Sequence, residues 1–325
     1  MTQQKFSLGF FPTPVHPLKR LSEQFKDYEL FIKRDDQSGL ASGGNKTRKL
    51  EYIIREALDQ GCNTVVTAGA QQSNHCRQTA AACNVAGLEC HLLVRGEEPA
   101  EFTGNLLLSK LLGAHIHYTG DDISQYDVET LLGKLREAGR LPLYTPIGGS
   151  TLTGAMGFVE AAAELHAQLT SMNLHIDQVY FASCSGGTQA GLVLGKALHG
   201  LEPDLVPVSI EKPEMGEAGL ESTVLEIVDQ GLEVLGMEKS FTEADLKLLG
   251  GYDDAGYGVL TQNEKVAIRM LAQTEGILLD PVYTARAFHG MTDQLRKGLV
   301  KPGSRILFWH TGGLPANFHY GNALL

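Results

Sequence analysis

Short, continuously apolar runs alternate with helix-period segments along most of the chain, and this alternation restricts the fold more than any other feature. "ELFIK", "TVVTAGA", "CHLLVRG" and "HIHYTG" read as strands in the first half, followed by "QVYFAS", "LVPVSI", "GILLD" and "RILFWH". Between them "HCRQTAAACNVAG", "GNLLLSKLLGA", "FVEAAAELHAQL" and "KVAIRMLAQTEG" carry helical spacing. Strands without a polar side must be covered on both faces, so the expected class is α/β, with parallel sheets flanked by helices. The stretch "LPLYTPIGGSTLTG", broken by Pro146, Gly148, Gly149 and Gly154, marks a possible domain boundary. Small-molecule sites in such proteins gather at the carboxyl ends of strands, where "GAQQSNH", "ASCSGGTQAG", "DPVYTAR" and "HTGG" fall.

One lysine stands out among these loops. In "GLASGGNKTRKLEYII", Lys46 follows two glycines and opens a helical pattern whose apolar residues are Leu50, Ile53, Ile54, Ala57 and Leu58. It lies four residues before Leu50, on the apolar stripe, while Arg48, Lys49, Glu51 and Arg55 can supply the polar surface. Burial of such a lysine lowers its pKa and frees its amine as a nucleophile or base. A first-turn lysine can equally snorkel to water, and the helix alone leaves both readings open. A phosphate-gripping P-loop fails on register. Gly39 and Gly44 have the right separation, but Asn45 stands where the lysine belongs. A one-residue slip turns the side chain by about 100° around the helix.

Composition excludes several function classes. The 325 residues carry 27 basic and 38 acidic side chains, a net charge of −11, which offers no footprint for nucleic acid or an anionic membrane. The start lacks the layout of a signal peptide, and no apolar run reaches the ~18 residues of a membrane span. Five cysteines without a CxxC pair suit reduced thiols in a cytoplasmic protein. His115 and His117 share one face of a strand, yet no companion cluster is evident, and no metal is expected.

The strand-end loops admit paired readings. Ser185, Gly186, Gly187 and Thr188, between "QVYFA" and an apolar helix, can present N–H groups and hydroxyls to a phosphate, or simply make a tight turn. With a cleft-facing lysine they suggest a phosphate-bearing aldehyde, pyridoxal phosphate. Gln72, Ser73 and Asn74 can cap a helix, or meet a cofactor ring and a substrate carboxylate. Tyr283 and Tyr257 can serve as acid or base if a nearby cation lowers their pKa, or merely close the core with a wet hydroxyl. Thr311 ends a strand, and its hydroxyl can meet a pyridine nitrogen, leaving the ring a weaker electron sink than a carboxylate would.

Taken in order, "KRDD…GGNKTRKLE", "TAGAQQSNHCRQTAA", "SGGTQAGL", "LLDPVYTARAFHG" and "HTGGLPA" resemble the pyridoxal-phosphate enzymes of the D-cysteine desulfhydrase and aminocyclopropane-carboxylate deaminase family, from about Phe11 to Gly321. The resemblance implies the two-domain tryptophan-synthase-β-like fold, with residues 1–47 and 157–325 forming a larger cofactor domain and 48–156 a smaller inserted one. A cytoplasmic homodimer acting on a small amino acid is implied as well. By position it makes Lys46 the lysine that carries the cofactor and assigns Asn74 to the ring. Ser185, Gly186, Gly187 and Thr188 go to the phosphate, with Lys49 supporting the local charge. Ser73, Tyr257 and Tyr283 match substrate-pocket and acid/base positions.

Two positions divide the family. Ring-opening deaminases carry glutamate after the tyrosine matching Tyr283, and leucine between the histidine and paired glycines of the last motif. Here Thr284 and Thr311 stand instead, the desulfhydrase pattern. The implied reaction is an α,β-elimination, D-cysteine giving pyruvate, ammonia and sulfide. Release of sulfite from L-cysteate is the related alternative, for which Arg77, Arg286 and His289 are candidate sulfonate contacts; aminocyclopropane-carboxylate deamination comes next. A non-enzymatic pyridoxal-phosphate carrier is the reading from a different class.

Overall fold

A computed structural model describes residues 4–210 and 219–325. Nine strands run β1 (Val15–Pro17), β2 (Glu29–Arg34), β3 (Thr64–Ala70), β4 (Glu89–Arg95) and β5 (His115–Tyr118), then β6 (Pro142–Thr145), β7 (Gln178–Ser183), β8 (Asp204–Ser209) and β9 (Arg305–His310). They form two sheets. One has the order β1-β2-β9-β7-β8, parallel except for the short edge strand β1; the other, β5-β4-β3-β6, is parallel throughout. All four strands of the second sheet lie between residues 64 and 145.

Both faces of the five-stranded sheet are covered, which is why its strands are apolar without alternation. Helices Leu152–Ser171, Gly187–His199 and Leu220–Leu235 pack on one face around Phe158, Phe181 and Trp309. Helices Gln262–Glu275 and Thr284–Arg296 pack on the other around Ile32, Phe288 and Phe308. The four-stranded sheet has its own cores, one around Leu50, Val65, Cys83 and Leu92, and one around Val66, Leu93 and Leu132. No helix among the described residues is long and apolar enough to cross a membrane.

Two expectations fail, each for a physical reason. "GILLD" is not a strand. Its carbonyls are taken by side chains instead: His310 Nε2 lies 3.0 Å from the Leu278 oxygen, and Asn317 Nδ2 donates to the Leu279 oxygen at 2.9 Å. The segment is thereby satisfied without a ladder.

The polar residues assigned to the wet side of helix Lys46–Asp59 are also mostly buried. Arg48, Lys49 and Glu51 are 3, 0 and 2% exposed. Arg48 makes hydrogen bonds of 2.9 Å to both oxygens of Asp35 and both of Glu164, and Lys33 pairs with the same Glu164. Glu51 accepts from the Leu8 and Gly9 amides and pairs with Lys5. Polar residues therefore ring most of this helix without facing water, because their partners come from distant segments. The apolar stripe of Leu50, Ile54 and Ala57 turns to the four-stranded sheet, and the helix stops at Gln60 before Gly61, whose φ is +70°.

Candidate active site

The carboxyl ends of β3, β4, β7 and β9 open on one cleft. Asn45, Lys46, Ser73, Asn74, Ser185, Gly186, Thr188, Tyr257, Tyr283 and Thr311 all line it. Lys46 reaches it because two glycine-rich loops pass each other closely. The Asn45 amide donates to the Thr311 carbonyl at 2.9 Å, and a Cβ on Gly312 would lie 2.6 Å from the Gly44 Cα. Glycine is required there by the close approach.

The cleft's polar groups are tuned by burial. Lys46 is only partly covered by its neighbours, but desolvation of its amine brings the pKa down to about 8. Lys49 lies one turn further in and is pushed well below its ordinary value by burial and then by the Lys46 charge; its Nζ donates to the Gly148 carbonyl at 3.0 Å. Burial and both lysines hold His75 well below the usual histidine range. Tyr283 moves the other way. Burial first, then Tyr257, push its hydroxyl well above the ordinary range, and the two hydroxyls are hydrogen-bonded to each other. The condition for a lowered pKa, a cation beside the hydroxyl, is not what dominates at Tyr283; burial there favours the protonated form.

Helix Gly187–His199 meets the cleft with its amino end, entered through Gly186 at φ +82°. Its N-cap glycine has no side chain to offer, and only the Gly187 amide is met by a side chain, donating to Ser150 Oγ at 3.2 Å. The remaining first-turn N–H groups and the positive end of the helix dipole are thus directed at whatever occupies the loop. Gly187 itself is packed beneath the loop: a Cβ there would sit 2.8 Å from Lys49 Nζ and 2.9 Å from Ser150. Lys49 and Gly187 therefore support the cleft from behind rather than line it. Across the cleft, Ser73 caps helix Asn74–Ala86 by accepting from the Cys76 amide at 3.2 Å, so its hydroxyl hydrogen remains to be donated. Asn74 Oδ1 accepts from Arg77 at 3.1 Å and from Asn105 at 2.9 Å, which turns its amide nitrogen to other partners.

The chain belongs to a family of known chemistry. A family model described as "Pyridoxal-phosphate dependent enzyme" matches residues 6–312. This is a pyridoxal-phosphate dependent enzyme. It is 39% identical over 331 residues to the 1-aminocyclopropane-1-carboxylate deaminase of Burkholderia ambifaria, with 97% of each chain covered. To that of Burkholderia multivorans it is 38% identical over 323 residues, covering 96% of this chain and 95% of the other. A crystal structure of an ACC deaminase homologue matches with a TM-score of 0.89 at 34% identity, covering 99% and 96%. A hydrogen sulfide-producing enzyme from Fusobacterium nucleatum, at 17% identity and a TM-score of 0.66 over 94% of each chain, shares the fold. Within the family the enzyme falls in the aminocyclopropane-carboxylate deaminase and D-cysteine desulfhydrase group, with the tryptophan-synthase-β-like fold and a lyase-type activity.

The residues present fit the cofactor. A low-pKa lysine opposite a glycine-capped helix amino end is the donor set that an aldehyde bearing a phosphate requires.

Several expected residues stand elsewhere. Gln72 does not line the cleft; it binds the Thr103 carbonyl and the Asn105 amide and so ties two loops together. Thr284 is fully buried against Asp280, whose carboxylate also accepts from the amides of Val282, Tyr283 and Thr284. It shapes the turn that presents Tyr283. Arg77 holds Asn74, Asn105 and the Gly43 carbonyl, and Arg286 pairs with Glu264; neither lines the cleft, nor does His289. Sequence reasoning missed Arg95, at the end of β4, and Asp122 and Ile123 in the loop after β5, which do line it. Arg95 ends the run "CHLLVRG", and an arginine closing a cleft-edge strand was the available signal.

Proposed function

We propose that the enzyme carries out α,β-elimination on a small amino acid with a sulfur leaving group, D-cysteine giving pyruvate, ammonia and hydrogen sulfide. The observation that carries this reading is Thr311 in the cleft wall with Thr284 behind Tyr283, where the ring-opening pattern has leucine and glutamate. Pyridoxal phosphate, when bound, supplies an aldehyde for the substrate amine and a ring that accepts the electron pair left by the α-proton.

The chain's own residues do the rest. With a pKa of about 8, Lys46 offers roughly 300-fold more neutral amine at pH 7 than an ordinary lysine of pKa 10.5, enough to carry the cofactor and then remove the α-proton. The amino end of helix Gly187–His199, with Ser185 and Thr188, would hold the phosphate, and Lys49 braces the cleft from behind through its hydrogen bond to the Gly148 carbonyl. Ser73 and the Asn74 amide hold the carboxylate or the ring hydroxyl. Tyr283, still protonated, hands its proton to the departing sulfur and is resupplied through Tyr257. Thr311, on the cleft wall, would offer the ring nitrogen a neutral hydroxyl, which suits a substrate whose leaving group needs little electron withdrawal.

Sulfite release from L-cysteate is the second reading, supported by Arg95, a cation on the cleft wall able to meet a sulfonate. One experiment separates these. Purified holoenzyme is given D-cysteine, L-cysteine, L-cysteate and aminocyclopropane carboxylate, with keto acid, sulfide and sulfite measured. Sulfide with pyruvate from D-cysteine is the expected result. Sulfite from L-cysteate moves the assignment to Arg95 and the second reading. Ketobutyrate overturns the weight given to Thr284 and Thr311, and no turnover with cofactor bound leaves a carrier. If the two threonines do tune the reaction, Thr284→Glu with Thr311→Leu lowers elimination; an unchanged substrate preference refutes that role.

A further inference from the structure

At the opposite edge of the four-stranded sheet, away from the cleft, three ligand-type side chains converge. Glu89 and His91 lie on one face of β4, and His115, which pairs with His91 across the ladder, begins β5. Glu89 Oε1 stands 3.3 Å from His91 Nε2 and 3.2 Å from His115 Nε2, and the three ligand atoms all lie within 4.8 Å of one another. Among the described residues this is the one such group. A tetrahedral zinc ion with bonds of about 2.0–2.1 Å sets its ligand atoms about 3.3–3.4 Å apart, which matches both carboxylate-to-imidazole spacings.

A second observation points to a ligand. His91 is 6% exposed, and its Nε2 has no hydrogen-bond partner although it faces the carboxylate. The ring's other nitrogen is committed, since Nδ1 lies 3.0 Å from His117 Nε2. If Nδ1–H donates there, the Nε2 lone pair points at an anionic oxygen, an arrangement that a cation between them resolves. If His117 donates instead, the buried Nε2–H faces Glu89 Oε1 at 3.3 Å in a geometry too poor for a full hydrogen bond. The first tautomer is the one metal-bound histidines adopt, with the far nitrogen donating to a fixed acceptor. Arg140 takes the other carboxylate oxygen, its Nε 3.0 Å from Glu89 Oε2, and leaves Oε1 to face the imidazoles.

The geometry points to a site for a divalent transition ion of the zinc class, built from Glu89, His91 and His115, with His117 as the positioning residue. The His91 and His115 rings are nearly parallel, 19° apart with centroids at 4.6 Å, and His115, 55% exposed, rotates to bring its lone pair onto the ion. Solvent fills the fourth position. Arg95 ends β4 six residues beyond Glu89, about 20 Å along the strand, so the ion lies too far from the cleft to touch the reacting atoms. Its effect is to pin the edge strand β5 to β4.

The test uses tag-free holoenzyme stripped of metals, titrated with Co(II) as a zinc probe and followed by calorimetry and visible absorption. One equivalent with the intense absorption of tetrahedral Co(II) is expected in the wild type and absent in His115→Ala and Glu89→Gln. His117→Ala should keep the site but weaken it by about 10- to 100-fold. Because His115 is exposed, its replacement leaves the fold and the turnover unchanged, and the metal should raise the Tm of the wild type but not that of His115→Ala or Glu89→Gln. No binding by the wild type overturns the proposal, and so does equal binding by the His115→Ala variant, which would place the ion on a cysteine or elsewhere.

Discussion

The two walls of the cleft are built differently. On the five-stranded-sheet side the working groups are backbone N–H groups of a helix end, a hydroxyl pair and lysines held by burial. On the four-stranded-sheet side they are side chains on loops and strand ends: Ser73, Asn74, Arg95 and Asp122. The first kind of wall has few degrees of freedom and suits an invariant group such as a cofactor. The second can be altered one side chain at a time, and is where substrate choice can reside.

Substitutions can break or sharpen this contrast. The largest effect belongs to Lys46→Ala, which should cut turnover by more than about 10³-fold and abolish the visible absorbance of lysine-bound cofactor; retention of that absorbance would move the cofactor to another residue. Tyr283→Phe comes next. It keeps the ring in place but removes the proton, so kcat should fall by about 10²-fold with KM nearly constant, measured as pyruvate release.

A smaller effect follows from pH. The pKa of Lys46 in the folded protein, about 8, lies below its ordinary 10.5, so the reactive neutral amine increases as pH rises, is half the total near pH 8 and nearly complete by about pH 9. Cofactor-stripped protein should therefore take up pyridoxal phosphate about tenfold faster per pH unit up to about 7, with the gain levelling off by about pH 9. A plateau delayed to pH 10 would show the amine to be solvated. Smallest is Ser73→Ala on the opposite wall. Loss of one hydrogen bond of about 1 kcal/mol should raise KM several-fold while the cofactor absorbance stays, and loss of the helix cap should lower stability by about 1 kcal/mol in urea denaturation. If Ser73→Ala instead expelled the cofactor, the two walls would not be separate in function.

The same contrast explains what the sequence made legible. Eight strand-like runs were expected and seven formed, because continuous apolar stretches bounded by turns have few other ways to be buried. "GILLD" has the same composition, but its hydrogen-bond partners, His310 and Asn317, lie 30 or more residues later, where no local pattern reports them. Lys46, Ser73, Asn74, the 185–188 loop and the tyrosines were legible because glycines and hydroxyls at strand ends carry a spacing. Asp122 and Ile123 were not, since one side chain on an ordinary loop has none, and Arg95 offered only its place at the end of a strand. Arg48 and Glu51 misled for a related reason: helical periodicity counts apolar residues, and the partners that let a charge be buried sit on other segments. His91 completed the histidine group beside His115 and His117 only once β4 and β5 were paired.

The contact between Gly44 and Gly312 also bears on how such a chain can change over generations. A methyl on Gly44 would press on the Thr311 carbonyl at 3.2 Å as well as on Gln78, and one on Gly312 would strike Gly44 itself. Neither loop can accept a side chain there while the other keeps its path. The lysine loop and the late glycine loop, far apart in the sequence, are thus bound to a shared inheritance, and a recombination event that replaced one of them alone would move the reactive amine off its mark.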